Sequence, residues 1–211
     1  MKSIYEILGQ NYNKIRSVIA TRLNQFSKIV DKSEIFYELC FCLLTPQSNA
    51  KRCALAIEDL KELDLFNSEV DLEQIGGVLK TKTRFHNNKA KYVHNLKPLF
   101  EDLWKNFDLT DKNLDSYELR NWLIKNIKGL GFKESSHFLR NIGFRNLAIL
   151  DRHILRNLHE LEVIGDISKG LSKNEYLLIE EMFSSYCINV GISMDELDLY
   201  FWYSETGEVF K

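Results

Sequence analysis

Lys133 stands two residues after a glycine pair, Gly129-Leu130-Gly131, and Asp151 follows eighteen residues later. An amine can attack carbon as a nucleophile, and a rigid carboxylate suits positive charge that develops on a sugar. The amine must be neutral to attack. Lys133 falls at the expected start of a helix, against the positive end of the helix dipole, where a cation is unfavourable. A lysine there breaks a local rule, and the dipole and partial burial both favour the uncharged amine. The same spacing also suits a surface lysine that touches a phosphate. Asp151, in Leu150-Asp151-Arg152-His153, is expected to be a helix N-cap. A capping carboxylate is held rigidly and hydrogen-bonded, which suits a charge-stabilising group.

The glycines separate two short helical stretches. A glycine pair lets the backbone turn tightly and brings amides to the surface. With the N-terminus of the second helix, those amides make a seat for a phosphate oxygen. Leu130 would plug the hairpin into the core. An ordinary helix-helix turn closed by glycine is the other reading of Gly129 and Gly131.

Around this feature the apolar periodicity is helical almost throughout, with no convincing strand pattern. Residues 34–44 are apolar nearly all round, which marks a buried central helix that Thr45-Pro46 interrupts. Ala50, Cys53, Ala54, Ile57 and Leu60 line one face of the next. Asp71 caps a short helix that Gly76-Gly77 is expected to end. Residues 87–106 read as one helix bent at Pro98. Asp115 with Glu118 resembles a capping box, opening a helix with Leu119, Leu123 and Ile127 on one face. Ser135, Phe138, Leu139 and Ile142 share a face of the helix after the hairpin. Ile154, Leu155, Leu158 and Leu161 face inward after Asp151. A long helix over 174–190 and a last one opened by Ser193 and Glu196 complete an all-α chain of about ten helices, with no linker and no repeat.

The 211 residues carry a formal net charge of −2, which taken alone argues against a nucleic-acid partner. The distribution argues the other way. Residues 80–97 hold six basic side chains and no acid; residues 120–157 hold eight against Glu134 and Asp151; from 158 onward there are eleven acids and three lysines. That asymmetry fits one basic face able to meet a phosphate backbone, or a pair of solvated helix faces. No apolar run is long enough to span a bilayer and no signal pattern opens the chain, so an intracellular, cytoplasmic protein is expected. Cys40, Cys42, Cys53 and Cys187 lack metal-site spacing and are expected to be buried thiols.

Lys128-Gly129-Leu130-Gly131-Phe132-Lys133 followed by Ile149-Leu150-Asp151-Arg152-His153 resembles the hairpin, lysine and aspartate of the bifunctional helix-hairpin-helix DNA glycosylases. More narrowly, the chain resembles the compact archaeal-type 8-oxoguanine DNA glycosylase/AP lyases. The segments that carry this are Leu44-Thr45-Pro46-Gln47-Ser48-Asn49-Ala50-Lys51, Arg84-Phe85-His86-Asn87-Asn88-Lys89-Ala90-Lys91, the hairpin through Asn141, and the tail from Phe201 to Lys211.

The resemblance implies a two-lobed α-helical fold, with residues 33–134 as the lobe containing the hairpin (about 116–142) and residues 1–32 plus 135–211 as the second. It implies a double-stranded DNA partner containing 8-oxoguanine, with the target nucleotide flipped out of the stack. Lys133 and Asp151 would be catalytic. Gly129 and Gly131 would hold a phosphate. Gln47 and Asn49 would enter the gap left by the flipped base, unless they form only a polar turn. Phe85 would be the aromatic wedge, or else a core residue, with Arg84 beside phosphate or the partner base. His137, Trp202 and Lys211 would form the base pocket; for His137 and Trp202 the alternative is helix packing. No cofactor is implied, and the four closely spaced cysteines of iron-sulfur relatives such as endonuclease III are absent, so no cluster is expected. A monomer suffices, in the cytoplasm and on the nucleoid when bound to DNA. A glycosylase for another oxidised or mismatched base, or a hairpin module that only binds DNA, are the rival readings.

Overall fold

The computed structural model describes residues 4–166 and 170–211. Among them it contains eleven α-helices and no strand, so the chain is all-α as expected. It divides into two compact units, Ile29–Phe138 and Met1–Lys28 with Leu139–Lys211. Residues 1–3 and 167–169, which the expected second lobe includes, lie outside the described residues.

The unit Ile29–Phe138 is built round α2 (Lys32–Leu44), in which every side chain from Ile35 to Leu44 is buried. Burial of one Leu, Ile or Phe stabilises a fold by about 1.5–3 kcal/mol, so a helix without a wet face must lie at the centre of its core. Asp31 starts it by accepting from Glu34 N. Helix α3 (Ala50–Glu62) turns Cys53, Ala56, Ile57 and Leu60 inward. Then follow α4 (Leu72–Lys80), α5 (His86–His94), α6 (Leu96–Asn106), α7 (Ser116–Asn126) and α8 (Phe132–Asn141). Helix α2 packs on α3 and α5, and α4 packs on α3 and α5.

Three local expectations are corrected here. Helix α4 runs through Gly76-Gly77 to Lys80, with a full capping box between Asp71 and Gln74. A glycine inside a helix costs about 1 kcal/mol relative to alanine. Ile75 and Leu79, both fully buried, bracket the pair on one face and outweigh that cost. The break in 87–106 falls at Asn95 (φ −88°, ψ 3°), not at Pro98. Pro98 then sits in the first turn of α6, where its missing N–H has no intrahelical partner to lose. At α7 only the forward half of the capping box forms, Asp115 accepting from Tyr117 N and Glu118 N.

The other unit gathers round α11 (Met194–Thr206), which packs on α1 (Ile4–Ser27), α9 (Arg152–Glu160) and α10 (Lys173–Val190). Helix α1 went unmarked in the sequence reading, although Leu8, Tyr12, Ile15 and Ile19 recur at helical spacing and are buried. Tyr200 Oη donates to Leu8 O at 2.6 Å, and Tyr12 Oη to Glu196 Oε1 at 2.5 Å. Helix α10 fixes the segment that leads to Asp151. Tyr176 Oη donates to Ala148 O at 2.6 Å and accepts from Leu150 N at 3.3 Å, while Glu180 Oε1 accepts from Ala148 N at 2.8 Å. All four cysteines are buried and unbridged. No helix among the described residues is long and apolar enough to cross a membrane.

Candidate active site

The turn between α7 and α8 needs Gly129 twice over. Its φ is +104°, and a Cβ there would lie 2.6 Å from Tyr92 Cδ2 of α5 and 3.1 Å from Leu43 Cδ2 of α2. The close approach seats the hairpin against both helices. Leu130 is buried, as a plug should be, while Gly129 and Gly131 remain exposed and present their backbone to solvent. Arg120 of α7, fully buried, donates to Ser136 Oγ of α8 at 3.1 Å and lies 5.1 Å from the ring centres of Tyr117 and Phe132. That guanidinium ties the two hairpin helices to each other.

Lys133 is the second residue of α8 and is half-buried. Its Nζ lies 3.7 Å from Glu134 Oε1, and the other oxygen of Glu134 accepts from Gly131 N at 3.4 Å. One carboxylate thus addresses both the amine and a hairpin amide. The sequence reading counted Glu134 only as an acid. The signal was available, since Gly131 and Glu134 have the spacing of an N-cap and the third helical residue. The buried Cys53 thiol is pushed up to about 11 by desolvation, opposed by the positive charges of Lys89 and Lys133. Both amines therefore lie in the neighbourhood of one sulfur.

Two loops of this unit carry the remaining residues. Gln47 is exposed in the left-handed region (φ 54°), and Asn49 caps α3 by accepting from Arg52 N at 3.1 Å. Phe85 also takes a left-handed backbone (φ 57°) and is 54% exposed, with the Arg84 guanidinium 5.5 Å from its ring centre. An exposed phenylalanine in a backbone conformation that disfavours bulky residues marks a side chain held out of the core. His137 differs: it is 7% exposed, in edge contact with Phe41 at 5.9 Å, so the contact found is that of helix packing.

Not every basic residue in the tally reaches the surface. Lys89, Arg120 and Arg140 are buried, each with partners inside its unit; Arg140, for instance, pairs with Asp198 at 3.3 Å. The exposed basic residues in the unit Ile29–Phe138 include Arg84, Lys91, Lys125 and Lys128. Burial turns a cation into an internal clamp, which a charge count along the chain does not register.

In the other unit Asp151 caps α9, accepting from His153 N at 2.8 Å and Ile154 N at 2.9 Å, both on Oδ1. Oδ2 takes no part in the cap. The His153 ring meets Trp202 edge-on at 5.9 Å, and its Nδ1 lies 3.5 Å from Glu205 Oε2. Glu205 also pairs with Arg156 at 2.9 Å. The indole Nε1 of Trp202 is buried without a hydrogen-bond partner among the described residues. After the left-handed cap at Gly207, the residues from Glu208 to Lys211 are half-buried. The ring of His153 and the carboxylate of Glu205 had no assigned part in the sequence reading. Among the described residues no group of His, Cys, Asp or Glu is arranged to hold a metal ion.

The chain matches the family model described as 8-oxoguanine DNA glycosylase over residues 19–192. It is 44% identical over 210 residues to the 8-oxoguanine DNA glycosylase/AP lyase of Fusobacterium nucleatum, with 95% of this chain and 94% of that protein covered. It is similar to the crystal structure of Methanocaldococcus jannaschii 8-oxoguanine DNA glycosylase, at a TM-score of 0.85 and 34% identity over 99% of this chain and 96% of that one. A structure of the same archaeal enzyme in complex with a 15-mer DNA containing 8-oxoguanine matches at a TM-score of 0.82 and 34% identity, over 94% of both chains. A helical chain whose hairpin presents its amides beside an amine, and which aligns with these relatives along nearly its whole length, belongs to the 8-oxoguanine DNA glycosylase family.

Proposed function

We propose that this protein is a bifunctional glycosylase and AP lyase that flips 8-oxoguanine out of double-stranded DNA, excises it and nicks the strand. The observation that carries the reading is the half-buried amine of Lys133 beside the amides of the exposed Gly129 and Gly131, of which that of Gly131 donates to Glu134 Oε2. A phosphate on those amides would fix the sugar of the target nucleotide, and fixing the reactants is a large part of the rate.

Lys133 Nζ, as the neutral amine, attacks C1′ of the flipped nucleotide. The C1′–N9 bond breaks, and the base leaves with the electron pair and takes up a proton. The sugar opens to a protonated Schiff base on Lys133. Loss of a C2′ proton then expels the 3′ phosphate, and water releases the enzyme. Asp151 stabilises the cationic sugar and serves the proton transfers. Gln47 and Asn49 enter the gap in the duplex, Phe85 unstacks it, and Arg84 meets phosphate or the partner base. Trp202 and Lys211 take up the extruded purine. His137 is assigned to the same pocket on the resemblance of the sequence. We take the two lobes of the glycosylase to be residues 33–134, with the hairpin, and residues 1–32 plus 135–211, the protein to act as a monomer, and its place to be the cytoplasm, on the nucleoid when bound.

Borohydride reduction during incubation with duplex DNA carrying one 8-oxoguanine should leave a covalent protein–DNA band. The band should be absent with Lys133→Gln. A band with another lesion only would replace the substrate, and no band with any lesion or abasic site would remove the amine mechanism.

A further inference from the structure

Lys89 is 4% exposed, and its ammonium donates to Leu44 O at 2.7 Å, Pro46 O at 2.8 Å and Ser48 Oγ at 2.7 Å. An ammonium has three donors, and all three are used. Ser48 Oγ accepts a second bond, from Arg84 N at 2.9 Å. Lys89 itself sits one turn into α5, and its N–H bonds back to Phe85 O at 3.1 Å. One buried cation and one hydroxyl therefore join the 44–49 loop to the 84–85 loop. The two loops carry the left-handed residues Gln47 and Phe85, both exposed. A left-handed conformation is unfavourable for a residue with a side chain and persists only where the surroundings hold it.

We propose that Lys89 is a positioning residue that, acting through Ser48, locks the loop of Gln47 and Asn49 to the loop of Arg84 and Phe85 as a single two-pronged element that enters the duplex. The inference rests on the reading that both loops meet DNA. Burial lowers the amine of Lys89 from its ordinary value, so the fold bears a desolvation penalty to keep the group there. A charged hydrogen-bond donor is the stronger tie. Neither prong touches the reacting sugar in this scheme. Their task is to hold the duplex open, so the clamp acts on flipping and leaves the amine chemistry alone.

The test compares Ser48→Ala, Lys89→Met, Gln47→Ala and Phe85→Ala on two substrates. One is a duplex with 8-oxoguanine beside 2-aminopurine, whose fluorescence rises when the stack opens. The other is a single-stranded abasic site, trapped with borohydride, which needs no stack to be opened and so measures folded enzyme with an intact Lys133. Loss of a buried charged hydrogen bond corresponds to roughly tenfold or more in an equilibrium. Ser48→Ala and Lys89→Met should each cut the fluorescence rise and the excision-to-trapping ratio by that order. If Lys89→Met does not fold and fails to trap, Ser48→Ala decides. An unchanged ratio in Ser48→Ala, while Gln47→Ala and Phe85→Ala lower it, overturns the clamp. An unchanged ratio in Gln47→Ala and Phe85→Ala overturns the reading of the loops, and the clamp with it.

Discussion

Both bonds at the head of α9 go to one oxygen of Asp151, so the cap and the proposed chemistry use different atoms of one carboxylate. Asparagine caps a helix about as well as aspartate, whereas alanine loses about 1 kcal/mol. Asp151→Asn should therefore keep the thermal midpoint near wild type and lose most of the excision rate. Asp151→Ala should lose the rate and also melt earlier. An active Asp151→Asn would show that the carboxylate has only a structural part, and equal melting of the two variants would show that the cap adds nothing to stability. The places of Lys133 in the first turn of α8 and of Asp151 at the cap of α9 were legible in the sequence because they break or satisfy local rules that operate within a few residues. Glu134 was less so, since what matters is that one carboxylate reaches both Gly131 N and the Lys133 amine. Lys89 was illegible: in the string it is one basic residue among six, and only the fold shows that its partners are 41 to 45 residues away.

At the scale of elements, the helices whose burial alternates with a wet face were read to within a residue or two, as at α3, α9 and α10. The breaks were read less well. Gly76-Gly77 and Pro98 are strong local signals, but tertiary burial of Ile75 and Leu79 in α4, and a turn at Asn95, decide where those helices end. The connection between α6 and α7 offers a pH test. Lys112 donates to Leu109 O at 2.5 Å and Ile29 O at 3.4 Å, and burial lowers its amine to about 8. Its folded value lies below the unfolded one, so between about 8 and 10.5 the unfolded chain binds more protons, and this group adds stability as pH rises through that window. Lys89, lowered by burial as well, contributes in the same direction. Urea melts across the window should show a shallower rise in Lys112→Met than in wild type. Parallel curves would mean that the amine titrates alike in both states.

For the molecule as a whole, the all-α class was readable because helical periodicity recurs along nearly the whole chain. The partition was not marked by composition, since the boundary at Phe138 falls inside α8, and no linker announces it. Net charge was equally mute, because burial removes Lys89, Arg120 and Arg140 from the surface that a count assumes. The same seclusion extends to sulfur. All four thiols are buried; desolvation raises those of Cys40, Cys53 and Cys187, the last two to about 11 and about 12. Peroxide attacks thiolates, and Cys40, Cys53 and Cys187 hold almost none at neutral pH. 8-Oxoguanine is itself a product of oxidants, so a protein that removes it meets its heaviest load when reactive oxygen is abundant. Pretreatment with hydrogen peroxide should leave excision unchanged, and a thiol reagent should register four sulfhydryls only after unfolding. Rapid labelling of the native protein would show that the interior opens to solvent. A sealed interior would let this repair activity outlast the oxidative burst that creates its substrate.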